Sequence, residues 1–157
     1  MPDDDRIAEI ALDEALGGRV RPEMEHDRAV AIQDLIEENS FSLCDGPPGP
    51  YRVELGLDAG RLLFRVRPLA ADSTTVFGMA LGPFRRVIKD YHTICDSYFA
   101  AIRTMSPSQI EAIDMGRRGM HDEGAEKLRD RMNGRAEIDK ATARRLFTLL
   151  CVLHARG

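Results

Sequence analysis

Tyr51-Arg-Val-Glu-Leu-Gly-Leu-Asp-Ala-Gly-Arg-Leu-Leu-Phe-Arg-Val-Arg67 is the stretch that decides the fold of this chain. Tyr51, Val53, Leu55 and Leu57 alternate with Arg52, Glu54, Gly56 and Asp58, which is the period of a half-buried strand. After an Asp58-Ala59-Gly60 turn, Leu62, Phe64 and Val66 alternate with Leu63, Arg65 and Arg67. A polar loop through Asp72 and Ser73 then leads to a third run at Thr75, Phe77, Met79 and Leu81. The three runs describe an antiparallel meander with one apolar face. The opposite face carries Arg52, Arg65 and Arg67 but lacks interleaved aromatics on which bases would stack. A solvated face is expected there, and nucleic acid is not an expected partner.

Beyond the meander the period changes from two to three and four. Pro83 suits the first position of a helix, and Phe84, Val87, Tyr91, Ile94, Tyr98 and Ile102 give its stripe, ending near Thr104. Ser106-Pro107 starts another helix, with Ser106 as cap. Asp139 caps a last one that is apolar almost all round from Leu146, so it is expected at the centre of the core. On the other side of the meander, Cys44-Asp-Gly-Pro-Pro-Gly-Pro50 is an irregular connection, since glycine and proline exclude regular structure. Pro22 opens a helix through about Asn39, with Ala29, Ile32, Leu35 and Ile36 as its apolar face. Gly17-Gly18 turns the chain, and the weak alternation from Arg6 to Leu12 reads as a first strand. The expected fold is one α+β domain over residues 1–157, in the order β-α-β-β-β-α-α-α, with helices packed on one face of an antiparallel sheet.

The composition agrees with that class. At 157 residues, 43% hydrophobic and 31% charged, the chain can bury a core without staples. Its acidic start, Met1-Pro-Asp-Asp-Asp-Arg6, has no apolar stretch behind it and does not read as a secretory signal. The longest nearly apolar run, Leu146 to Leu153, is too short to span a bilayer. Cys44, Cys95 and Cys151 are odd in number and widely spaced, so free thiols in a cytoplasmic protein are expected. The net charge of −4 is uneven: residues 1–45 hold 13 acidic and 4 basic side chains, and residues 46–157 hold 13 acidic and 18 basic.

One segment violates its own pattern. In Asp114-Met-Gly-Arg-Arg-Gly-Met-His-Asp-Glu-Gly124, Arg117 falls in the middle of the stripe formed by Ile110, Ile113, Met120, Gly124 and Leu128, with Asp114 and His121 at its edge. Three glycines within these residues each cost a helix about 1 kcal/mol relative to alanine. The helix from Pro107 is therefore expected to break or bend between Gly116 and Gly119. A break there would make a nest of amides which, with Arg117 and Arg118 and the new helix start at His121, would hold a phosphate or carboxylate. The alternative is that Arg117 pairs with Asp114 and merely tolerates partial burial.

Arginine doublets recur at Arg85-Arg86, Arg117-Arg118 and Arg144-Arg145. In each, one guanidinium should lean toward the packed side of its helix. If the inner arginines converge, together with Asp114 or His121 and with Asp114, Glu123 or a bound anion to balance them, they make an anion pocket; if not, they are solvated surface. His92-x-x-Cys95 and Cys151-x-x-His154 hold metal-capable pairs at one-turn spacing, but both cysteines sit on apolar stripes, where cysteine behaves as a small hydrophobe. No metal and no cofactor is expected, and both thiols should be buried and unpaired. His26 reads as an exposed residue of an acidic first turn. The phosphate loop, the dinucleotide glycine pattern, paired Cys-x-x-Cys, His-Glu-x-x-His and a nucleophile elbow are all absent, which removes the enzyme classes that carry them.

Val30–Phe41, Pro83–Tyr91, Ala101–Arg103, Pro107–Gly119 and Thr142–Thr148 resemble the uncharacterised protein family UPF0262, small proteins of alphaproteobacteria. The resemblance spans essentially the whole chain, includes all three doublets, and implies kinship without an activity; His92 lies outside it. The residues themselves lead to a cytoplasmic protein that binds a small anionic ligand or a protein partner. Arg85, Arg86, Asp114, Arg117, Arg118, His121, Arg144 and Arg145 are the candidate ligand-binding residues. An enzyme acting on a phosphorylated or carboxylated metabolite, with His121 or Glu123 as acid/base, and a structural module of a larger assembly are the alternatives.

Overall fold

The computed structural model describes residues 4–13 and 22–156, with the side chains of 22–24 and 154–156 outside that description. Gly17 and Gly18 thus lie outside the described residues. Along the chain come β1 (Ile7–Leu12), α1 (Pro22–Glu37), β2 (Phe41–Leu43), β3 (Tyr51–Asp58), β4 (Arg61–Pro68), β5 (Thr75–Ala80), α2 (Gly82–Thr104), α3 (Pro107–Met132), β6 (Ala136–Ile138) and α4 (Lys140–Arg156).

The meander forms as its alternation requires. Leu55 faces Phe64 and Phe64 faces Phe77 across β3, β4 and β5, and the two phenyl rings stack at 4.9 Å. Ala59 and Gly60 both take positive φ, 51° and 78°, in a two-residue turn of the twist that suits a hairpin. The outer face is solvated and internally paired, with Arg52–Glu9 at 3.3 Å and Arg65–Glu54 at 3.0 Å bridging neighbouring strands. The fourth strand, β1, joins β3 in parallel, Ile7 opposite Tyr51 and Leu12 opposite Leu55, so the sheet is mixed rather than purely antiparallel. A parallel pair needs a long crossover, and α1 lies within it.

β2 and β6, absent from the expected order, pair antiparallel as a separate ribbon, Phe41 opposite Ile138. Three residues are too few for an alternation to stand out in sequence. At the start of α4, the Asp139 carboxylate accepts from the Thr142 amide at 2.8 Å, the expected cap. Leu146, Phe147, Leu149, Leu150, Cys151, Val152 and Leu153 of α4 are all buried, which makes it the core's central helix. On α1, Leu35 is buried and Ile32 and Ile36 pack against the core as expected, but Ala29 is exposed and Ala31 is buried in its stead. Asn39, just past α1, fastens the helix to the sheet: its amide oxygen accepts from Ile7 N at 2.6 Å, and its nitrogen donates to the carbonyls of Ile7 and Leu35 at 2.9 and 2.7 Å.

The expected break in the helix from Pro107 does not occur. α3 is continuous to Met132 and begins with a capping box, Ser106 and Gln109 satisfying each other's amides. Two of its glycines are there for close approach. A β-carbon at Gly124 would overlap the Phe147 ring of α4, and one at Gly116 would lie 2.8 Å from the Ile94 Cδ1 of α2. Packing on both neighbours outweighs the low helix propensity. An unbroken helix also spends the amides of Gly116–Gly119 on its own ladder, so no anion nest forms there.

Candidate functional site

α1, α3 and α4 enclose a cleft of about 530 Å³ that also reaches Tyr91 of α2. Helical spacing supplies its walls. Arg117 and His121 are one turn apart on α3, Arg144 and Thr148 are one turn apart on α4, and Asp27, Val30, Ala31 and Asp34 line one side of α1. Arg118, Asp122, Arg145 and His26 complete the lining.

The arginines differ in how far their charge is met. Arg117 donates from Nη2 and Nε to Asp114 Oδ1 at 2.6 and 3.1 Å, and Arg118 Nε lies 3.0 Å from Asp114 Oδ2. Two guanidiniums thus share one carboxylate. The Arg117 guanidinium also sits 4.6 Å from the centre of the Tyr98 ring, a cation–π contact. Hydrogen bonds from Arg117 hold the Asp114 carboxyl below the usual carboxylate range. Burial is the largest influence on Arg117 and disfavours its charge, but the hydrogen bonds to Asp114 together with the charge interactions of Tyr91, Asp114 and Cys95 leave its pKa above the ordinary value. On α4, Arg144 binds Asp122 Oδ1 at 2.6 Å, whereas Arg145 donates to a neutral acceptor, the Glu38 carbonyl, at 2.8 Å.

His121 is the most strongly perturbed group of the cleft that titrates near neutrality. Burial lowers its pKa to about 4; Asp122 opposes the shift, and Arg144 and Arg117 add to it. Its ring lies 5.3 Å from both Tyr91 and Phe147, and its Nε2 is 2.8 Å from the Thr148 hydroxyl. That hydroxyl also lies 3.3 Å from the Arg144 carbonyl, a second partner for it. With its pKa lowered to about 4, the imidazole is neutral near pH 7. Across the cleft, desolvation raises the Asp27 carboxyl above its ordinary value, against the lowering effect of His26 and Arg117.

Two doublets therefore reach one cleft and the third does not. Arg85 and Arg86 are both exposed, with neither leaning inward, and Arg86 makes only a 3.8 Å pair with Asp90. Glu123 lines a different groove, with Arg86 and Lys127, and so is not beside His121. Asp27, Asp34, Tyr91 and Thr148 were not singled out by sequence; the signal for the first two was their seven-residue spacing around Val30–Ala31 on one helix side. His26 is exposed at the rim, as expected.

All three cysteines are free: Cys151 is buried, Cys95 only half-buried, which corrects its expected burial, and Cys44 exposed. Burial raises the thiols of both Cys95 and Cys151, so neither is an activated thiolate. Among the described residues no three His, Cys, Asp or Glu side chains gather as a metal site; the His154 side chain is outside them. No described helix is long and apolar enough to cross a membrane.

The profile of the Uncharacterised protein family (UPF0262) matches residues 4–156. The chain belongs to UPF0262. Its relatives in that family include a UPF0262 protein of Brucella anthropi, 53% identical over 97% of this chain and 95% of its own length. A UPF0262 protein of Rhodospirillum rubrum is 53% identical over 100% and 97%, and one of Rhizobium meliloti 52% identical over 97% and 96%. These relatives cover at least 97% of this UPF0262 chain. No solved structure matches it.

Proposed function

We propose that this UPF0262 protein is a non-enzymatic binding protein that holds a small anionic molecule, a carboxylate or phosphate, in the cleft between α1, α3 and α4. One observation carries the reading: two arginine doublets on different helices meet at one cleft with more positive charge than their partners neutralise. Arg117 and Arg118 have only Asp114 between them, and Arg145 rests on a neutral carbonyl. Guanidiniums in that state favour an anion with two oxygens placed to accept a pair of hydrogen bonds from each. Neutral His121 and the Thr148 hydroxyl add polar groups without adding charge.

Binding is favoured over catalysis because neither acid/base candidate of the enzyme alternative is set for that role. His121 at about 4 is a weak base at neutral pH, and Glu123 faces another groove. The test is a melting-temperature screen against phosphate, citrate and nucleotides. A ligand at a hundred times its Kd stabilises the folded state by about 2.7 kcal/mol. A rise that is lost in Arg145→Ala and Arg118→Ala supports the site; no rise with any anion in the panel or with an amino-acid zwitterion removes it.

A further inference from the structure

The wall that faces the arginines is not neutral. Asp27 and Asp34 line it from α1. Neither side chain makes a hydrogen bond or ion pair with any described residue, although Asp27 lies within electrostatic range of Arg117. Among the described residues, the other carboxylates at the cleft are spoken for: Asp114 holds Arg117 and Arg118, and Asp122 holds Arg144. The arginines, after that pairing, leave two positive charges in excess on the α3 and α4 side. The two aspartates leave two negative charges on the α1 side. The cleft is therefore dipolar across its width.

A dianion placed against the arginines would also face Asp27 and Asp34, and the repulsion would offset much of its attraction. Val30 and Ala31 lie between the two carboxylates and offer an apolar strip for a short carbon chain. Asp27 and Asp34 are seven residues apart, about 10 Å along the helix axis, which leaves room for one small molecule rather than a polymer. We propose that the ligand is a small amino-acid-type zwitterion, its carboxylate or phosphate on the Arg117–Arg118 and Arg144–Arg145 side and its ammonium group on the Asp27 and Asp34 side. This rests on the anion-site reading above and narrows it.

The experiment uses three probes with the same four-carbon backbone at constant ionic strength: succinate, γ-aminobutyrate and putrescine. Phosphoethanolamine and ethyl phosphate repeat the comparison with a phosphate. Melting temperature and calorimetric titration are measured for the full chain and for Asp27→Asn, Asp34→Asn and the double variant. In the wild type each zwitterion is expected to bind at least ten-fold tighter than the anion matched to it. In the double variant that preference should vanish or reverse, with anion binding strengthened. If succinate and ethyl phosphate bind the wild type as well as the zwitterions do, the zwitterion assignment is overturned while the anion site stands. If putrescine alone binds, or no probe binds up to millimolar concentration, the anion site itself falls.

Discussion

The two halves of the α2–α3 hairpin have the same local ingredients and opposite fates. In the inner half, Phe84, Val87, Ile88 and Tyr91 of α2 and Gly124, Ala125, Leu128 and Met132 of α3 are buried against the sheet and α4. In the outer half, Phe99, Ile102, Met105 and Met115 are exposed, and Ala101 is the fully buried position. Apolar periodicity alone does not distinguish them; what differs is whether a third element lies beneath. The cleft sits at the boundary, where Tyr91, Arg117 and His121 follow the stripe but the packing gives way to space that polar groups can occupy. A polar intrusion in an apolar stripe marks the place where the core stops.

Glycine substitutions separate the halves most clearly. Gly124→Ala places a methyl group inside the Phe147 ring and should cost about 3 kcal/mol or more, read as a lower urea midpoint with an unchanged slope. Should Gly124→Ala prove neutral, α3 and α4 do not approach as closely as described.

A pH titration tests the boundary. The folded pKa of His121 lies near 4 and an unfolded histidine near 6.5, so the unfolded state binds more protons between these values. Stability should therefore fall as pH drops from about 6.5 toward 4, by about 3 kcal/mol from this group, and level off below. His121→Gln should flatten that part of the profile. An unchanged slope in the variant would mean the imidazole is not held neutral by burial.

Gly119, in the outer half, has nothing within 4 Å of a β-carbon position. Gly119→Ala should stabilise by up to about 1 kcal/mol through helix propensity alone, seen as a higher melting temperature. The smallest effect is expected at the doublet that misses the cleft. Arg86→Ala removes a 3.8 Å pair on a side chain that is 95% exposed, and should shift stability by less than about 0.5 kcal/mol and leave ligand binding unchanged.

The sequence carried the meander, the capped starts of α3 and α4 and the central position of α4, because each rests on contacts close along the chain. It did not carry β2 and β6, whose pairing joins distant segments, or the parallel docking of β1. The straightness of α3 was misread for a similar reason. A glycine's cost to a helix is local, whereas the gain from bringing Phe147 against Gly124 belongs to the partner helix and is invisible in a single stripe. Arg117 and His121 stood out because they broke a pattern. Asp27 and Asp34 sit on a helix whose pattern they do not break, and only the assembled walls show what they face.

Asn39 has a consequence for life at high concentration. β1 is an outermost strand, and such strands offer open amides and carbonyls on which another chain can polymerise. The Asn39 amide occupies the free N–H and C=O of Ile7 as a neighbouring peptide group would, and the Leu35 carbonyl anchors it in place. A foreign strand arriving at this border must first evict a side chain that is already docked, so the end of α1 acts as a stopper against templated aggregation.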